Sequence, residues 1–325
     1  MRGAQRTRRV LGQGAVLQLP EHRLTWNEAV DLFIGDKRLD GRARQTIRNY
    51  EWVLKGRAKE FAAEQGFTTI EQWDAEAFRR FKAALAGVDP PLSLSALSIH
   101  HRTMKTFLRF CLERHYLSDP QVLMVKGPKI PEQHPRGLSQ DEERKLLAAA
   151  KRLGERDRML VELLLRTGLR PQEAARLTID DLQETVNGVW LIRVYGKGDK
   201  ERIIPLDTPH HALSETLRNY LRKERPKDTR RREMFLTKRH TGPDGDYAPM
   251  TSNGIAKLFG RIADRAGVQA HAYRCRHTFA MRSLAARLDH EALRKAMGHT
   301  TYRMTMRYLT ATEEDLIAAY QRRTD

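Results

Sequence analysis

Cysteine is almost missing from this chain: Cys111 and Cys275 are the only two in 325 residues. Two are too few for a disulfide framework, and their neighbours (Phe110, Leu112, Arg274, Arg276) suggest no metal cluster, so a reducing cytosol is the expected compartment. Long apolar runs are missing as well. No stretch approaches the roughly 20 residues of a membrane span. The segment from Met1 to Leu19 carries Arg2, Arg6, Arg8 and Arg9 without the apolar core of a signal peptide. Secretion and membrane insertion are therefore not expected, and the chain reads as cytoplasmic. Acidic residues are under-represented too, 41 against 59 basic ones, for a formal charge of +18. Such an excess favours a polyanionic partner, because each neutralised phosphate releases condensed counterions. The imbalance is not confined to one tail: 22 basic and 15 acidic residues precede position 134, and 37 and 26 follow.

What is present suffices for a folded protein, with 40% hydrophobic and 31% charged residues. Residues 1–20 are basic and aperiodic and read as a flexible arm. Thr25 and Glu28 form a capping box, and helical spacing follows at Ala29, Leu32 and Phe33. It returns around Ile47, Tyr50, Val53 and Leu54, around Phe78, Phe81 and Leu85, and from Leu97 through Met104, Phe107, Leu108 and Leu112. Four helices thus predict an all-α domain over residues 22–118. Pro120, Pro128, Pro131 and Pro135 mark 119–135 as a linker, since a helix cannot run through so many missing donors. Beyond it, residues 136–325 form a second domain. Ser139 and Glu142 make another capping box, an apolar run spans Met159 to Leu165, Gly168 supplies a left-handed cap, and Pro171 suits a new first turn. Gly188 to Tyr195 and Arg202 to Leu206 read as strands joined by Gly196-Lys197-Gly198-Asp199-Lys200, a hairpin. The rest is mostly helical. The expected class is mainly α with a small antiparallel sheet.

Three separated clusters carry possible chemistry. Arg170, between a helix cap and a helix start, presents a fixed fork suited to two phosphate oxygens, with Glu173 one turn away to orient it. Lys197 at the hairpin tip is flanked by glycines that let backbone approach a ligand, and its ammonium can donate a proton. The third cluster is His271-Ala272-Tyr273-Arg274-Cys275-Arg276-His277-Thr278-Phe279-Ala280, then Gly298-His299, then Tyr308. Taken singly, each has a structural explanation: His277 as a core histidine, His299 as a cap beside Gly298, Tyr308 as an amphipathic helix position. The densest basic run, Arg222 to Arg232, is either a solvated face or a phosphate contact. Asp180 and Asp181, the obvious acidic pair, read as capping or structural residues.

These residues, in this order and spacing, resemble the tyrosine recombinases, or phage integrases. Arg170 in Gly168-Leu169-Arg170-Pro171-Gln172-Glu173 matches the family's first catalytic arginine box, and Lys197 its β-hairpin lysine. Arg276 in Arg276-His277-Thr278-Phe279-Ala280 matches the second arginine, His299 the late histidine, and Tyr308 the nucleophile. One position departs from the pattern: the family's histidine three residues before the second arginine is Tyr273 here, with His271 two residues further back. Either could serve in that slot. The resemblance implies an N-terminal core-binding domain and a catalytic domain that clamp double-stranded DNA, with no cofactor or metal, and a homotetramer acting on two DNA sites. It further implies cutting and rejoining through a 3′-phosphotyrosine. A non-catalytic DNA-binding regulator on the same scaffold, or an enzyme that nicks and relaxes DNA without strand exchange, are the alternatives. Leu316, Ile317 and Tyr320, at helical spacing, would dock on a neighbouring protomer or within the chain.

Overall fold

The computed structural model describes residues 23–131, 136–196, 200–208, 211–306 and 308. The expected arm, the end of the linker, the hairpin tip and the tail after Tyr308 lie outside them. The chain divides into two compact units, Met1–Glu132 and Gln133–Asp325.

The first unit is helical. Helix α1 (Trp26–Leu39) starts at the capping box: the Glu28 carboxylate accepts from the Thr25 amide at 2.8 Å and the Thr25 hydroxyl from the Glu28 amide at 3.4 Å. Helices α2 (Arg44–Leu54), α3 (Arg57–Glu64), α4 (Ala75–Ala86) and α5 (Leu94–Glu113) follow. Among the described residues of this unit, five helices stand where four were expected. The extra one, α3, buries only Ala58, Phe61 and Ala62, so a single large side chain marks its inner face and its periodicity is faint. Aromatic rings fill the core. Phe107 lies edge-on to Trp26 and Phe33, with centroids 5.1 and 5.4 Å away, a favoured arrangement of ring quadrupoles. The buried indole N–H of Trp26 donates to the Leu54 carbonyl at 3.0 Å, so its polar end is satisfied. The start of the proline-rich segment also belongs to this core. Pro120–Met124 forms a short 3-10 turn capped by Asp119, and it buries Val122.

The second unit is built around α7 (Glu155–Thr167), whose residues Met159 to Leu165 are almost wholly buried. Helix α6 (Gln140–Leu153) precedes it behind the Ser139–Glu142 capping box, and α8 (Pro171–Arg176) follows. Strands β1 (Leu182–Glu184), β2 (Trp190–Tyr195) and β3 (Glu201–Pro205) make an antiparallel sheet in that order. Pairing Ile192 with Ile204 and Val194 with Arg202 puts these four on cross-strand neighbours of one face. The short pairs β4 (Asp207–Thr208) with β5 (His211–Ala212) and β6 (Leu236–His240) with β7 (Tyr247–Pro249) flank α9 (Leu213–Lys223). Helices α10 (Ser252–Ala266), α11 (Ala272–Ala285), α12 (His290–Met297) and α13 (Tyr302–Met306) complete the described residues. The class is mainly helical with small antiparallel sheets, as expected.

Truncating Phe107, which is fully buried, leaves a cavity that the surrounding rings cannot close. Phe107→Ala should cost about 3–5 kcal/mol of stability, read by urea unfolding with fluorescence from Trp26, Trp52 and Trp73. A loss below 1 kcal/mol would mean that this ring is not a core element.

Candidate functional site

Two helices point their C-terminal carbonyls at one guanidinium. Arg276, on α11 and 3% exposed, donates from Nη1 to Gly168 O at 2.6 Å and from Nη2 to Met297 O at 2.5 Å. Gly168 caps α7, and Met297 ends α12. Helix C-termini carry partial negative charge, so the buried cation sits where two such ends meet. Burial, with neighbouring Arg170 adding repulsion, pulls its pKa down to about 10, which leaves it protonated at neutral pH.

Arg170 emerges from the turn between α7 and α8. Its Nη1 donates to Glu173 Oε1 at 2.9 Å, and the guanidinium reaches Met297 O and Gly298 O at 3.4 Å. The two arginines therefore share the Met297 carbonyl and lie side by side. Glu173 fixes a third cation. Arg202 on β3 donates from Nη1 and Nη2 to Glu173 Oε1 and Oε2 at 3.1 and 2.8 Å, and from Nε to Ala296 O at 2.8 Å. Burial of Glu173 disfavours its charge, but the hydrogen bonds and charges of Arg202 and Arg170 outweigh this and hold its pKa below the usual value. Among the described residues of this cluster, three guanidinium groups lie around one carboxylate, which binds two of them. The excess is positive, in a place largely closed to water.

His299 and Tyr308 complete the cluster. His299 follows the left-handed cap Gly298 and is 6% exposed. Its backbone carbonyl accepts from Arg294 Nη1 at 3.0 Å, and its Nδ1 lies 2.9 Å from the Thr305 hydroxyl. Burial and the nearby cations, Arg276 first, push its pKa down to about 4, so the ring is neutral at pH 7. In the tautomer whose Nδ1 accepts from the Thr305 hydroxyl, the ring proton sits on Nε2 and is available for donation. Tyr308 closes a turn after α13, its amide bonded to the Thr305 carbonyl at 3.0 Å. Its ring packs against the buried trio Ala280, Leu293 and Met297 and lies parallel to the His299 ring at 6.3 Å. The Tyr308 hydroxyl is 2.9 Å from Nδ1 of His277.

Of the five residues expected from sequence, the structure brings Arg170, Arg276, His299 and Tyr308 together, and Lys197 lies outside the described residues. Tyr273 is 44% exposed. His271 stands at the N-cap of α11 with no side-chain capping bond, its pKa lowered by partial burial and by Arg274. Sequence reasoning missed Arg202, although its signal was available: on a strand it shares a face with Ile204, which is 4% exposed, and an arginine two residues from a core position needs a partner. It also passed over His277 as a core residue. The basic run is partly committed elsewhere, with Arg225 bonded to the carbonyls of Arg231 and Glu233, Arg231 to Asp244, and Arg232 to Asp180. Asp181 caps Thr178, so the acidic pair is structural. Among the described residues, no group of three or more His, Cys, Asp or Glu could hold a metal ion, and no helix is long and apolar enough to cross a membrane.

Residues 136–315 match the model of the phage integrase family. The chain is 29% identical over 296 residues to tyrosine recombinase XerA of Pyrococcus furiosus, covering 91% of this chain and 94% of that protein. It is 27% identical over 285 residues to tyrosine recombinase XerD of Staphylococcus haemolyticus, covering 86% and 92%. Its fold is that of a lambda integrase tetramer solved bound to a Holliday junction, with a TM-score of 0.69, 16% identity, and coverage of 89% and 78%.

The neutral state of His299 predicts a pH effect on stability. It protonates near 4 when folded and near 6.5 when unfolded, so on acidification the unfolded chain takes up the proton first. Stability should fall as pH drops from 6.5 to 4, by about 3 kcal/mol from this group. In His299→Gln that part of the decline should vanish. Equal slopes for both proteins in urea unfolding across this window would show that His299 is not buried in its neutral form.

Proposed function

The chain belongs to the phage integrase family, the tyrosine recombinases, and on that footing we propose that it is a site-specific DNA recombinase working through a covalent 3′-phosphotyrosine. The carrying observation is the buried excess of guanidinium charge beside a tyrosine hydroxyl. A backbone phosphate supplies the missing negative charge, and its non-bridging oxygens are the acceptors that Arg170 and Arg276 are positioned to meet. His299 offers a further donor through Nε2. These groups are held before substrate arrives, by carbonyls and by Glu173, so little reorganisation is needed as charge builds on the pentacoordinate phosphorus.

In this reading Tyr308 Oη attacks phosphorus, the bond to O5′ breaks, and the phosphodiester energy is kept in the phosphotyrosine until another 5′ hydroxyl attacks. Lys197 protonates the departing 5′ oxygen. The partner is double-stranded DNA, met by the basic surface of a cytoplasmic protein. The shared fold with the lambda integrase assembly supports a homotetramer on two DNA sites, with residues 22–118 as the core-binding domain and 136–325 as the catalytic one. A pure DNA-binding regulator would have no use for a tyrosine hydroxyl set beside this cluster.

The test is adduct formation on nicked duplex DNA that carries the target site. Tyr308→Phe should form none, and Arg170→Ala should cleave about 10²–10³ times more slowly while still binding the duplex. Cleavage should persist in a chelator. Replacing the bridging 5′ oxygen by sulfur, which leaves without a proton, should restore Lys197→Ala. Adducts formed by Tyr308→Phe would refute the nucleophile, and a Lys197→Ala defect untouched by sulfur would refute the acid.

A further inference from the structure

Tyr308 must lose a proton to attack, and the family's usual imidazole, three residues before the second arginine, is a tyrosine here. The geometry points to His277 as the base: its Nδ1 lies 2.9 Å from Tyr308 Oη, within direct reach of the proton to be removed. This rests on the reading of Tyr308 as the nucleophile.

The other candidates are placed differently. Tyr273 is 44% exposed and is itself a phenol, so it offers no stronger base than the group it would deprotonate. His271 is an exposed residue at the start of α11. His299 has its Nδ1 on the Thr305 hydroxyl and lies parallel to the Tyr308 ring at 6.3 Å, face to face rather than along the O–H bond. Its depressed basicity also suits a donor better than an acceptor. His277, in contrast, stands four residues after Tyr273, one turn along the same helix face. The imidazole lost at 273 is thus supplied one turn later. Next to it in sequence, Arg276 is locked by the Gly168 and Met297 carbonyls, so the backbone that carries His277 is fixed relative to the phosphate clamp.

The step balances as follows. The Tyr308 proton passes to Nδ1 of neutral His277, whose other ring nitrogen carries its own proton, and an imidazolium forms. The Oη–P bond forms and the P–O5′ bond breaks, with the 5′ oxygen protonated by the acid assigned above. On rejoining, the 5′ hydroxyl attacks phosphorus and gives its proton back to Lys197, the O5′–P bond forms and the P–Oη bond breaks, and Oη leaves with the proton returned by the His277 imidazolium.

The experiment compares His277→Asn and His277→Ala with the parent protein in single-turnover adduct formation on nicked duplex DNA. Asparagine keeps a hydrogen-bond acceptor near the Nδ1 position but takes up no proton. Expected are a rate loss of about 10²–10⁴-fold for both variants, unchanged duplex binding, and no recovery with the 5′-sulfur substrate. For His277→Ala, added imidazoles should restore cleavage more strongly as their basicity rises. His277→Asn cleaving at the parent rate would overturn the inference, because the residue would then only hold the tyrosine. Full recovery of His277→Asn with sulfur would also overturn it, by moving His277 to the leaving-group side. Either result leaves the nucleophile intact so long as Tyr308→Phe forms no adduct. Adducts in Tyr308→Phe would mark failure of the underlying reading instead.

Discussion

A guanidinium buried to 3% exposure must find its acceptors inside the protein, and for Arg276 these are the carbonyls of Gly168 and Met297. Much of the second unit's local geometry answers that need. Helices α7 and α12 have to end facing the same point, and each does so at a glycine in the left-handed region, Gly168 at φ +63° and Gly298 at φ +60°. Neither glycine has room for a side chain: a Cβ on Gly168 would lie 2.4 Å from the Phe279 ring, and one on Gly298 would lie 2.9 Å from Arg202 Nη1. Backbone freedom and close approach are required at the same two positions. Once those ends are set, Arg170 leaves the α7–α8 turn beside Arg276, and His299 follows Gly298 into the same place.

The second constraint is charge. Glu173 neutralises part of the cluster and binds Arg170 and Arg202 with both oxygens, but one carboxylate cannot balance three guanidinium groups. An unpaired buried charge is costly, and this excess persists because backbone carbonyls solvate it. Burial, and after it the same positive potential, keeps His299 neutral. On the proposed function, an arriving phosphate would complete the local electrostatics, and one set of residues would both select a polyanion and stabilise the extra charge of phosphoryl transfer.

Sequence revealed the elements with strong periodicity or strong punctuation. The Thr25 and Ser139 capping boxes, the apolar run from Met159 to Leu165 and the Gly168 cap all appear where their residues place them. Helix α3 was hidden, because Ala58 and Ala62 hardly differ from solvent-facing alanines. The short turn at Pro120–Met124 was hidden by its proline, which breaks an α-helix but suits a first turn. In the site, spacing within motifs located Arg170, Arg276, His299 and Tyr308. Arg202 and His277 were obscure for a different reason. Each acts through a partner 29 or 31 positions away, and pairings of that kind are made by tertiary structure. Sequence left His271 and Tyr273 open for the slot before Arg276, and His277, the base proposed above, read there only as packing.

In the proposed reaction the Tyr308 phenol exchanges places with a sugar oxygen on DNA. The most direct measurement is peptide mapping by mass spectrometry of protein trapped on nicked duplex DNA and then digested with nuclease and protease. A nucleotide remnant joined through a 3′-phosphate to the peptide bearing Tyr308 is expected. A remnant on any other side chain, or cleaved DNA with no remnant on the protein, would contradict it.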